Sequence, residues 1–181
     1  MYRLFVAIDL PEQVKEAVAG ITGRDLPGAH WVHREQLHLT LRFIGDADEE
    51  TFLAVKEALR TVRSTSFSLT MKGVGHFPPG RRPRVFWVGM AESEPLEALQ
   101  RQVETKIIGA GISPDERRFS PHITLARLKE TPAERVLALE ERHRMFSAGP
   151  FPVTEFYLYS STLTREGAIH KREAGYPLGG P

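Results

Sequence analysis

Two short stretches of this 181-residue chain carry side chains that move protons, and they carry them in the same order. Leu37-His38-Leu39-Thr40-Leu41-Arg42-Phe43 interleaves apolar residues with His38, Thr40 and Arg42. Pro121-His122-Ile123-Thr124-Leu125 again sets histidine and threonine two apart, with apolar residues between and after them. Imidazole changes charge near neutral pH, so two of them can take a proton from one oxygen and give one to another. In-line displacement at a phosphodiester needs both transfers, each worth about 10²–10⁴-fold in rate. Thr40 and Thr124 add hydroxyl donors for the non-bridging phosphate oxygens, where charge must be held during displacement. Arg127, just past the second stretch, offers charge-assisted hydrogen bonds to the same oxygens.

Strand geometry is what would aim these groups. Alternation puts His38 and Thr40 on one face and predicts Leu37, Leu39, Leu41 and Phe43 buried on the other, because a one-residue slip would bury the histidine and expose the leucines. His122 and Thr124 repeat that arrangement. Arg127 has the parity of Ile123 and Leu125, so it joins His122 only if the strand ends or bulges near Ala126. The two stretches lie roughly half the chain apart, which predicts one in each of two similar lobes facing a shared cleft.

The rest of the chain reads as α+β. Met1 to Asp9 predicts a first strand, and its apolar run is too short for a signal-peptide core or a membrane span. Pro11 opens a helix with Val14, Ala17, Val18 and Ile21 on one stripe. Asp46 or Asp48 caps a second helix through Phe52, Val55, Leu59 and Val62, and a third runs from about Pro95 through Leu96, Leu99, Val103 and Ile107. Phe67 to Met71, Val85 to Val88 and Val153 to Tyr159 predict strands. Gly73 to Arg84 is rich enough in Gly and Pro to predict a loop, and the tail after Tyr176 is expected to fray. A hydrophobic share of 41% supports a real core. Lys+Arg of 24 against Asp+Glu of 23 argues against coating nucleic acid by bulk charge, so any RNA contact is local. With no cysteine, thiolate metal sites and disulfides are excluded, nothing calls for an oxidising compartment, and cytoplasm is the expected location.

The remaining histidines, His30, His33, His76, His143 and His170, read as structural. His30, His33 and His38 lack an acidic partner at metal-binding spacing, and alternation turns His33 and His38 apart, so no metal and no cofactor are expected. Arg81, Arg82 and Arg84 are either a solvated loop or a guide for a phosphate backbone. Phe77 is a candidate to stack on a base, whereas Trp87, inside a strand, is expected in the core. Tyr157 and Tyr159 share a strand face that either lines the cleft or covers the sheet.

Both His-x-Thr-x stretches resemble the motifs of the two-histidine phosphoesterase superfamily, and more closely its RNA 2′,3′-cyclic phosphodiesterases, once described as 2′-5′ RNA ligases. Leu4 to Pro11, His38 to Phe43 with Gly45, Pro83-Arg84-Val85 with Trp87, Pro121 to Leu125 with Arg127, and Val153 to Ser161 carry the similarity, which covers nearly the whole chain. Ser120 stands where some relatives have a further histidine and is assigned no role. The resemblance implies one bilobal catalytic domain over residues 1–181, with two antiparallel sheets related by a pseudo-twofold axis, lining a central cleft with helices outside. It implies metal-independent hydrolysis of RNA ends or nucleotides carrying a 2′,3′-cyclic phosphate to 2′-phosphomonoesters, with His38 as proton donor, His122 as proton acceptor, and Thr40, Thr124, Arg127 and Phe77 binding substrate. Weak, reversible 2′-5′ ligation through the same histidines is implied too, and a monomer is the default. Two competitors remain at this stage: an enzyme for another 2′-linked phosphodiester, and an RNA-binding module without turnover.

Overall fold

The structure, a computed structural model, describes residues 1–22, 26–80 and 82–179. The elements run β1 (Tyr2–Asp9), α1 (Glu12–Ala19), β2 (Ala29–Trp31), a 3₁₀ turn (Arg34–Gln36), β3 (His38–Ala47), α2 (Glu49–Leu59), β4 (Phe67–Phe77), β5 (Val85–Met90), α3 (Glu94–Gly109), β6 (His122–Leu128), α4 (Ala133–Arg142), β7 (Ser147–Val153), β8 (Glu155–Thr164) and β9 (Gly167–Pro177). They build two sheets with antiparallel pairing throughout, ordered β3-β1-β8-β9 and β2-β6-β5-β4-β7. The three expected helices form. Asp48 caps α2 by accepting from the Thr51 amide at 2.8 Å, and Ser93 caps α3 by accepting from the Leu96 amide at 3.3 Å, one residue after Pro95 enters the first turn. Val55, Leu59, Leu99, Val103 and Ile107 are fully buried, so both helices bury the predicted stripes against sheet faces. α4 adds a helix that packs on β4 with Val136 as its one fully buried residue.

Four local readings change. The segment from Gly73 to Phe77 is strand, because Val74 to Phe77 pair with β5 and Gly75 serves packing: a Cβ on it would sit 2.4 Å from the Trp87 ring, as one on Gly89 of β5 would sit 3.2 Å from it. Val153 to Tyr159 divides at Thr154, where the chain leaves the second sheet at the end of β7 and enters the first as β8. The tail holds on past Tyr176. That ring stacks on Phe156 at 5.0 Å, its hydroxyl donates to the Lys56 carbonyl at 2.8 Å, and the Gly179 carbonyl accepts from Ser66.

Arg42 and Phe43 exchange their expected environments: Arg42 is buried and Phe43 is 40% exposed. Arg42 donates to Glu104 on α3 at 2.5 Å, to the Ser113 carbonyl at 2.5 Å and to the Phe43 carbonyl at 2.6 Å. The cause is an extra residue in β3, described next because it belongs to the site. β3, the edge strand of its sheet, comes up against β6 of the other sheet, so the two motif strands meet at the seam between the sheets.

Candidate active site

Each motif strand carries a bulge at the same place, three residues past its histidine. On β3, Thr40 pairs with Ala7 and Arg42 with Val6, leaving Leu41 as the additional residue. On β6, Thr124 pairs with Trp87 and Ala126 with Phe86, leaving Leu125 over. Two consecutive side chains then turn inward, Leu41 with Arg42 and Leu125 with Ala126, and all four are buried. The residue after them returns to the histidine's face. In β6 that residue is Arg127, which the bulge brings into the cleft beside His122 and Thr124. In β3 it is Phe43, over whose ring the Arg3 guanidinium sits at 5.2 Å.

The cleft between the sheets holds a cavity of about 780 Å³ lined by His38, Thr40, His122, Thr124 and Arg127 together with groups from β2 and the β8–β9 hairpin. Both motif histidines are tied down in the same way. The Nδ1–H of His38 donates to the Gln36 carbonyl at 2.6 Å, and that of His122 to the Ser120 carbonyl at 2.7 Å. A backbone carbonyl accepts only, so each ring carries its proton on Nδ1 and turns Nε2 to the cleft, as lone pair when neutral and as donor when charged. The Ser120 contact uses the main chain, which is why its side-chain identity is free to differ. Burial pushes the pKa of His38 down to about 4. The Gln36 carbonyl and Asp9 act in the opposite direction, while His170 and Arg127 add to the lowering.

Aromatic rings brace both imidazoles. His38 lies over Phe5 with centroids 4.8 Å apart, and Phe5 stacks on Tyr159 at 5.1 Å. His122 meets Phe77 edge to face at 4.9 Å and Trp87 at 6.3 Å. Phe77 therefore ends a strand and touches a motif histidine, where a loop had been expected. Trp87 lies on the cleft face of its sheet, since its partner across the ladder is Thr124, and the core expectation for it is corrected. Tyr157 and Tyr159 are covered on the same face as Phe5 and Ala7, with the Arg172 guanidinium 4.0 Å above the Tyr157 ring.

Sequence reasoning set aside His30, His33 and His170 as structural, and the structure brings all three to the cleft. So are Thr164, Arg165 and Glu166 at the hairpin tip. A lone histidine outside a repeated pattern gives no signal of this, because only the curl of the sheets sets which strand ends overhang the motifs. His76 faces away, paired with Glu140 of α4 at 2.5 Å. Arg82 and Arg84 line a separate cavity with Lys129, and Arg81 lies outside the described residues. Among the described residues no group of three or more His, Cys, Asp or Glu side chains is placed to hold a metal ion, and no helix is long and apolar enough to cross a membrane.

Comparison with known proteins supplies the lineage. Residues 10–165 match the sequence model of the 2′-5′ RNA ligase superfamily. A protein of Thermotoga maritima named RNA 2′,3′-cyclic phosphodiesterase is 38% identical over 174 residues, 93% of this chain and 91% of its own length. A protein of the same name from Archaeoglobus fulgidus is 34% identical over 171 residues, covering 93% of this chain and 96% of that one. Among solved structures, E. coli LigT without ligand superposes with a TM-score of 0.78 at 28% identity, and a protein described as a phosphoesterase with 0.79 at 28%, each over 98% of both chains. A family match over most of the sequence, relatives above 30% identity along nearly its full length, and the shared two-sheet architecture place the chain in the 2′-5′ RNA ligase superfamily, as one of its hydrolytic enzymes.

Proposed function

We propose that this enzyme opens the 2′,3′-cyclic phosphate at the end of an RNA to a 2′-phosphomonoester, with His38 as general acid and His122 as general base. The observation that carries this reading is the pair of imidazoles on β3 and β6, each with Nδ1–H held by a carbonyl and Nε2 directed into one cavity shared with two threonines and an arginine. The names of the relatives support the substrate class, an RNA 2′,3′-cyclic phosphate.

In the reaction the Nε2 lone pair of His122 takes a proton from water as the water oxygen bonds to phosphorus. The bond from phosphorus to the 3′ oxygen breaks on the opposite side, and Nε2–H of His38 delivers the proton that completes the 3′ hydroxyl. Thr40, Thr124 and Arg127 donate to the non-bridging oxygens, and Phe77 offers a ring face or edge to the terminal base or sugar. Before substrate binds His38 is neutral at pH 7, since its pKa is pushed down to about 4. The anionic diester supplies the charge that favours its protonated form, so the acid is loaded as substrate binds. The two imidazoles meet both proton transfers, which makes the chemistry independent of a metal. The same path with the 5′ hydroxyl of a second strand in place of water, bonding to phosphorus as the bond to the 3′ oxygen breaks and His38 protonates that oxygen, leaves a 2′-5′ linkage, a weak and reversible joining without a nucleotide triphosphate.

A short RNA ending in a 2′,3′-cyclic phosphate, incubated with the protein and excess EDTA, should yield a 2′-phosphate. His38→Ala and His122→Ala should each lose at least about 10²-fold in turnover, and Thr124→Val a comparable factor that Thr124→Ser restores. Product of other regiochemistry, or turnover abolished by EDTA, would contradict the mechanism. Undiminished RNA binding with no turnover in the unmutated protein would identify a binding module instead.

A further inference from the structure

A third imidazole meets the cleft beside His38. His170 stands on β9, opposite Ser161 of β8, and its ring meets His38 edge to face with centroids 5.3 Å apart at 86°. It is also edge-on to Phe5, at 4.9 Å and 75°, so an apolar wall closes one side of it. Nδ1 is buried there without a hydrogen-bond partner. Nε2 is not sealed in that way, takes part in no hydrogen bond among the described residues, and belongs to a residue that lines the cavity with His38 and Arg127.

Packing alone does not call for a histidine at this place. Across the cleft the same edge-on position against His122 is filled by Phe77, at 4.9 Å and 84°. A phenyl ring braces an imidazole there with no buried nitrogen left unpaired, whereas His170 carries the cost of an orphaned Nδ1. What histidine adds over phenylalanine is a polar atom on the open side. The charged groups facing this pair of rings are Asp9 from β1, which Arg172 engages, Arg127 from β6, and Arg165 and Glu166 at the hairpin tip. With two arginines lining the same cavity, the position suits an anion.

We propose that His170 is a third substrate-contacting histidine, donating from Nε2 to a phosphate oxygen on the His38 side while its ring edge holds the His38 imidazole in place. This rests on the reading of the cleft as a phosphodiester site. Burial lowers the proton affinity of His170, so it meets ligand as a neutral donor or takes up a proton with the anion.

Two variants separate contact from packing. His170→Phe keeps the ring edge and removes both nitrogens, whereas His170→Gln removes the ring and keeps a donor. Each is compared with the unmutated enzyme in steady-state hydrolysis of a 2′,3′-cyclic RNA end. Inorganic phosphate is separately titrated into the proteins while imidazole resonances are followed by NMR. His170→Phe should raise KM about 10-fold or more, change kcat by less than about 3-fold, and weaken phosphate binding by a similar factor, with His170→Gln recovering part of the loss. In the unmutated protein the His170 resonances should move together with those of His38 as phosphate is added. Unchanged KM and phosphate affinity in His170→Phe would overturn the proposal. So would equal losses of kcat and thermal stability in both variants, the signature of a packing role. If the unmutated protein fails to turn over the RNA end, the reading of the cleft falls, and the phosphate titration still decides whether His170 touches an anion.

Discussion

His38 and His122 each commit one ring nitrogen to a carbonyl two residues upstream, and that local bond settles which nitrogen is left for the cleft. What differs between them is the surrounding wall, and for His38 the wall is Phe5, Tyr159 and His170. Its pKa, pushed down to about 4 by burial, has a thermodynamic consequence beyond catalysis. Unfolded, the imidazole binds its proton near pH 6.5; folded, it does so only near pH 4. Between those values the unfolded chain holds more protons, so this residue's contribution to stability is full above about pH 6.5 and is lost as the pH falls toward 4. His38→Gln removes that dependence. The gap in unfolding midpoint between the wild type and this variant should therefore shift in the wild type's favour from pH 4.5 to pH 7, read by thermal melts at matched ionic strength. A gap that stays constant would show that His38 is as well hydrated in the folded chain as in the unfolded one.

At the scale of elements, the two bulges decide the make-up of the site. Regular alternation would place Phe43 in the core and Arg127 under the sheet; one additional residue in each strand reverses both. Strand β4 contributes through what it lacks. Gly75, together with Gly89 of β5, leaves the room in which the Trp87 ring lies, and Trp87 backs Phe77, with their centroids 5.2 Å apart. Gly75→Ala puts a methyl 2.4 Å from an indole carbon, so the ring must shift and take the Phe77 and His122 contacts with it. We expect a stability loss of about 1–3 kcal/mol by chemical denaturation, with KM for the cyclic end raised more than kcat is lowered. Wild-type kinetics in this variant would show that the indole and Phe77 do not organise substrate.

For the whole molecule, the proposed reaction depends on two sheets keeping their distance. β3 and β6 belong to different sheets and are not paired to one another, so the seam is held by side chains and by α3, which packs on β3 and β4. The Arg42 guanidinium is one polar tie. It joins β3 to Glu104 of α3 and to the Ser113 carbonyl, while Glu104 also accepts from the Asp115 amide at 3.0 Å in the segment leading to His122. Arg42→Ala strands the Glu104 carboxylate and should cost about 3–5 kcal/mol in denaturant unfolding, whereas Arg42→Ala with Glu104→Leu should cost less than Arg42→Ala alone. Additive costs would mean that the pair does not act as a unit.

The sequence by itself determined the aim of four groups of the cleft and suggested the chemistry proposed for them. His38, Thr40, His122 and Thr124 are local, because a period of two with apolar neighbours orients a strand without knowledge of its partners. Helix stripes were legible for the same reason, and the cap at Asp48 was one of the two candidates the sequence offered, whereas the cap at Ser93 was not read from it. Tertiary structure alone decided the rest. A bulge is a mismatch between two strands, so neither β3 nor β6 reveals it singly, and the placements of Arg42, Phe43 and Arg127 follow from it. His170 lies far along the chain from His38 and meets it only because the first sheet curls across β1 and β8. Gly73 and Gly75 read as loop residues until the Trp87 ring lies against Gly75, since close approach is a property of the pair and composition records only one member.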